Sequence, residues 1–212
     1  MPGHPTGTQT RSAANHTPIG RDRRTAYHEA AHAVIAYYSK HGPRARSITI
    51  VPGEDSEGAV EWYNHSLEQV VGDLRRLVDR ITICLAGNEA ERRLTGRRDN
   101  RGADSDYRFV KDLVLGSMAS SEEANAFLRW LRVLTERHVA VRWPVIEGVA
   151  AALLERKTLH KGEILEAIWN VETPGRGAET LRLAKEARER QRARRRAARA
   201  DRAATGTADR QT

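Results

Sequence analysis

With one cysteine, Cys84, in 212 residues, the chain can form neither an intramolecular disulfide framework nor a multi-cysteine zinc site. Cys84 sits in the apolar run Ile81-Thr82-Ile83-Cys84-Leu85 and reads as buried packing. Aromatic residues are scarce at 5%, and 39% of the residues are hydrophobic, which at this length gives one domain of modest core plus sequence outside it. No stretch approaches the roughly 20 uninterrupted apolar residues of a membrane span. Met1 to Gly20, rich in Pro, Gly, Thr and Asn, lacks the apolar segment of a secretory signal, so a soluble, cytoplasmic protein is expected. A Walker-type glycine loop is missing as well, and so is any internal repeat.

Charge is abundant but unevenly placed. Lys and Arg number 36 against 28 Asp and Glu, a formal balance of +8. Arg176 to Thr212 alone holds 12 basic and 5 acidic residues, and Met1 to Arg24 four Arg and one Asp. The stretch between is slightly acidic, so the excess belongs to the ends. Residues 1–23 carry too little apolar surface to offset the entropy of ordering and read as a disordered leader. Residues 176–212 form an Ala/Arg/Glu-rich tail that reads as disordered or as a solvated helix. The domain is expected over residues 24–175.

Within it the apolar periodicity is mostly helical. Ala26, Ala30, Ala33, Val34 and Tyr37 mark a first helix over 26–38, with Thr25 as candidate cap and Gly42-Pro43 as stop. Ser47 to Val51 and Gly58 to Tyr63 alternate as strands around Pro52-Gly53. Ser66 and Gln69 form a capping box ahead of an apolar stripe from Leu67 to Leu85 that runs on towards Gly96. A third helix starts near Asp104-Ser105-Asp106. Two more are expected, one capped at Ser121 and one opening at Trp143-Pro144, followed by a loop and short helix over 158–169. Of the four tryptophans, Trp130, Trp143 and Trp169 fall on helices and read as core, while Trp62 lies at the strand end.

The stretch that carries chemistry is His28-Glu29-Ala30-Ala31-His32, an H-E-x-x-H pattern inside the first helix. Residues four apart share a helical face, so both imidazoles can reach one metal ion, and Glu29 can reach a water on that metal as general base. Two neutral imidazoles suit zinc, and a catalytic zinc needs a third protein ligand and an open position. His4 and His16 fall in the leader. His41, His65, His138, His160 and the carboxylates Asp104 and Asp106 remain as third-ligand candidates, and spacing does not choose among them.

Thr25 to Ala33 resembles the H-E-A-G-H-A helix of the peptidase domain of FtsH-type zinc metalloproteases. Ser47 to Gly58 is similar to the strand pair that follows it there, Ile81 to Glu91 to that family's helix ending in G-x-x-A-E, Gly102 to Asp106 to its G-A-S-N-D segment, and Ala152 to Leu159 to its A-x-x-L-L-E-x-x-T-L segment. The resemblance covers roughly residues 25–168. It implies a mainly α domain with a small β-sheet, zincin-like in its metal site. His28, His32 and Asp106 would be the Zn2+ ligands and Glu29 the catalytic base; Asp104 falls on the serine position of G-A-S-N-D. It also places the strand near Gly58 to Trp62 beside the site, where an extended substrate could add to its edge.

The chain departs from that family in having Ala31 for the motif glycine and no ATPase module or membrane span. The expectation is therefore a zinc endopeptidase acting on unfolded or extended polypeptide without its own ATPase, with a homo-oligomer or a separate ATPase as candidate partners. The alternative is a peptidase-fold interaction module with a structural or idle zinc site. In either case the arginines from Arg192 to Arg202 could contact nucleic acid through phosphates, although no stacking aromatic accompanies them.

Overall fold

The computed structural model describes residues 19–53, 57–63, 70–97 and 104–174, together with Glu179, Arg182, Leu183, Glu186, Glu189, Arg190 and Ala193, which are helical. Residues 1–18 of the expected leader, the Ser66/Gln69 pair, His65 and most of the tail lie outside the described residues, whereas Arg21 to Arg23, read from the sequence as the disordered end of that leader, are helical. The elements run α1 (Arg21–Tyr38), β1 (Ala45–Thr49), β2 (Ala59–Trp62), α2 (Leu74–Thr95), α3 (Asp104–Ser117), α4 (Ser121–Arg156), β3 (Thr158–His160) and α5 (Lys161–Glu172). This is the mainly helical domain with a small sheet that the sequence indicates.

The first helix starts earlier than expected. Gly20 precedes it, and Thr25 lies inside it with its Oγ1 donating to the Arg21 carbonyl at 3.2 Å instead of capping. Every residue from Thr25 to Ala36 is buried, so α1 is the central helix, surrounded rather than one-sided. Its alanines let neighbouring backbones come close. The apolar stripe expected to run unbroken from Leu67 is interrupted: Asp73 caps α2, accepting from the Arg75 amide at 2.9 Å, and Gly96 closes it at φ 70°. A short polar side chain bonding the first orphan amides and a left-handed glycine are the ordinary start and stop of a helix.

Two expectations are corrected. The segments around Ser121 and Pro144 form one 36-residue helix, with Pro144 inside it and Ser120, not Ser121, as cap. Proline at an interior position removes one hydrogen bond, and the burial of Val139, Val145, Ile146 and Val149 on either side outweighs that loss. The loop expected after Lys157 is a strand: β3 pairs antiparallel with β1, Ile48 lying opposite both Leu159 and Val60, in the order β2-β1-β3. Lys157 makes the turn into it at φ 64°.

The core has two parts. The first gathers α1 with Ile48, Leu159, Ile164, Ile168 and the C-terminal half of α4; the second gathers Leu77, Ile81, Val110, Val114, Leu128 and Leu131 from α2, α3 and the N-terminal half of α4. Trp143 and Trp169 pack against the first, the Trp169 indole donating to Tyr37 at 3.0 Å, whereas Trp130 is 51% exposed and is not core. Among the described residues no helix is long and apolar enough to cross a membrane.

Candidate metal centre

One turn of α1 and the first turns of α3 converge at the seam of the two clusters. His28 and His32 project from the same face of α1, their rings 4.6 Å apart and nearly perpendicular. Asp106, in the first turn of α3, sets its Oδ2 at 3.2 Å from the Nε2 of both. The three side chains bring one ligand atom each within 4.8 Å of one another, a group able to hold a metal ion. Of the other candidates, the backbone amide of His41 donates to Asp79 and His160 caps α5, while His138 is exposed on α4. Asp104 opens α3.

Each imidazole is fixed from behind. Nδ1 of His32 lies 2.7 Å from the Ile83 carbonyl and donates to it, and Nδ1 of His28 lies 2.6 Å from Glu91 Oε1. Both Nε2 atoms are thereby turned towards Asp106, the tautomer a metal-binding histidine needs. Glu91 is a residue that sequence reasoning missed as a site member. It lies 63 positions from His28, and its only signal was the Ala90-Glu91 pair of the G-x-x-A-E resemblance, which carried no role of its own.

A metal fits the space between these groups. A Cβ at Gly87 would stand 2.6 Å from the Nε2 of both histidines, so the volume in front of them exists because α2 presents glycine there. The charges agree. Burial disfavours a cation on His28, but its hydrogen bonds to Asp106 and Glu91 and the nearby Glu29 outweigh this and push its pKa up to about 10. Burial would raise the Asp106 carboxyl, yet His32 and His28 beside it hold it well below the usual carboxylate range. The pocket thus calls for a positive charge, which a proton or a metal can supply. Two imidazoles and one carboxylate are a zinc donor set that leaves a fourth position open.

Glu29 is 6% exposed, and among the described residues its carboxylate accepts no hydrogen bond. Burial raises its pKa, and the two histidines partly offset the rise. A buried carboxylate held only for structure is ordinarily hydrogen-bonded. The chain segment entering β2 closes over it: a Cβ at Gly58 would meet Glu29 Oε1 at 2.8 Å and Thr25 Cγ2 at 2.6 Å. The outer edge of β2 has no strand beside it among the described residues.

Residues 19–120 match the model of peptidase family M41. The ATP-dependent zinc metalloprotease FtsH of Thermus thermophilus is 35% identical over 94 residues, 44% of this chain and 15% of that protein. FtsH 1 of Symbiobacterium thermophilum is 29% identical over 176 residues, 72% of the chain and 29% of the relative, and the mouse mitochondrial inner membrane m-AAA protease component AFG3L2 26% over 182 residues, 68% and 22%. The chain therefore spans less than a third of the length of these relatives. Its helical body, its metal-competent cluster and these matches agree in one likeness: the chain is similar, over residues 19–120, to a peptidase domain of the FtsH type.

Proposed function

We propose that this domain is a zinc-dependent endopeptidase in which His28, His32 and Asp106 hold the metal and Glu29 is the general base. The observation that carries the reading is the convergence of both Nε2 atoms on Asp106 Oδ2 at 3.2 Å beside a buried glutamate that accepts no hydrogen bond among the described residues. Zinc, when bound, supplies Lewis acidity to a peptide carbonyl and to water. Glu91 and the Ile83 carbonyl hold the two imidazoles in orientation. Glu29 takes a proton from the attacking water on a carboxylate oxygen and passes it to the departing amine; its raised pKa brings it nearer the range useful for both steps. The substrate is an extended polypeptide lying along the outer edge of β2, whose first residues adjoin Glu29. The two FtsH relatives are named as ATP-dependent, and delivery of polypeptide by a separate ATPase is the partnership this reading favours.

Elemental analysis of the purified chain with its His28→Ala, Asp106→Ala and Glu29→Gln variants tests the reading. About one equivalent of zinc is expected in the parent and in Glu29→Gln, with much less in the other two. Glu29→Gln should lose cleavage of an unfolded protein such as casein by a factor on the order of 10²–10⁴. Zinc absent from the parent after supplementation, or full activity in Glu29→Gln, would sink it.

A further inference from the structure

Arg80, on α2 roughly 10 Å along the helix from Gly87 at 1.5 Å per residue, is held in an unusual way. Its guanidinium lies 5.5 Å from the ring centroid of Trp62 at the end of β2 and 5.2 Å from that of Phe109, one turn beyond Asp106 on α3. No other cation among the described residues lies over two rings. Arg76 and Arg92 on the same helix pair with carboxylates; Arg80 has no carboxylate within 4.0 Å among the described residues and makes no hydrogen bond there. Asp79 beside it is engaged by the His41 amide, Asp106 by the two histidines, and Glu61 on β2 by Arg46 and Ser47.

Contact with ring faces uses the flat sides of a guanidinium and leaves its five N–H donors around the edge. A half-buried arginine fixed by two aromatic rings and lacking an acceptor among the described residues has already lost the rotamer freedom that binding an anion would cost. Its place relative to the cleft is set by β2. The strand leads from Gly58, beside Glu29, to Trp62, beside Arg80, a run of about 13 Å at 3.3 Å per residue. A polypeptide extended along that edge with a peptide bond at Glu29 carries a group three to five residues away over Arg80. We propose that Arg80, framed by Trp62 and Phe109, is a subsite for a carboxylate of the polypeptide substrate, from an acidic side chain or from the chain end, and so a determinant of which bonds are cut. This rests on the peptidase reading above.

The test uses the full zinc-loaded chain carrying Glu29→Gln, so that peptides bind without turnover, and the parent chain for cleavage. Blocked twelve-residue peptides with a single Asp or Asn stepped through every position are compared by fluorescence anisotropy, with a second set ending in a free carboxylate. One register of Asp, or a free end at one length, is expected to bind about tenfold tighter than its neutral counterpart. The same register should mark the parent's preferred cleavage site. Adding Arg80→Gln should reduce the ratio below twofold and Arg80→Lys should restore part of it, with zinc content and circular dichroism reporting that both variants fold. Cleavage without any carboxylate preference, or a preference that survives Arg80→Gln, overturns the subsite alone. Absence of both binding and cleavage for all peptides overturns the subsite and the peptidase reading together.

Discussion

Glu91 and Gly87 stand outside the proposed ligand set, and each sets what those ligands can do. The Glu91 carboxylate at 2.6 Å from His28 Nδ1 orients the ring and strengthens its other nitrogen as a donor. Glu91→Ala is expected to weaken zinc binding about 10- to 100-fold in competition with a chromophoric chelator, while Glu91→Gln, able to keep the contact, loses less. Circular dichroism of both variants should keep the parent's helicity, which separates positioning from a general loss of structure. Gly87→Ala places a methyl carbon 2.6 Å from both Nε2 atoms, so its zinc content should drop to a small fraction of the parent's by elemental analysis, with helicity retained. His28, Glu29 and His32 were legible in the sequence because their relation is local, a matter of one helical turn. Asp106 is 78 positions from His28, and spacing did not separate it from Asp104 and four histidines; only the resemblance chose it. Glu91 and Arg80 were illegible as site residues because their meaning lies wholly in what a distant segment brings to them.

Helices were read well where caps and breakers are strong, and badly where packing overrode a local rule. The proline signal at Pro144 was read as a helix start, yet α4 continues through it because its two halves are each anchored in a buried cluster. The rung that Pro144 cannot form is a stability cost still present in the fold. Pro144→Ala is therefore expected to raise the unfolding free energy by about 1–2 kcal/mol, the regained bond and relieved clash exceeding the extra freedom given to the unfolded chain. Urea midpoints at fixed zinc concentration measure this, and an unchanged or lowered midpoint would contradict it. The strand β3 went unread for the opposite reason: Thr158 to His160 is three residues long, and only its pairing with Ser47 to Thr49 makes it a strand. Trp130 shows the limit of composition, since a tryptophan on a core helix still faces outward.

At the scale of the whole molecule the metal site joins what the hydrophobic core leaves as two clusters. The histidines come from α1 in the first, and Asp106 from α3, which packs in the second. Zinc binding is thus expected to stabilise the fold as well as arm it. At free zinc 100-fold above Kd the linkage amounts to about 2.7 kcal/mol, visible as a rise in Tm that a chelator reverses and that Asp106→Ala does not show. An identical zinc response in Asp106→Ala would mean that the ion binds elsewhere. The same architecture orders events during synthesis. The histidine helix is made before the rest of the described domain, but the cluster that encloses it is completed by Leu159, Ile164 and Ile168, and β1 waits for β3. A nascent chain holds both imidazoles and Glu29 long before it has either Asp106 or the walls around them. Since a domain folds as a unit, the cleft closes only when nearly all of the domain has been made, so the proposed metal site is completed last rather than first.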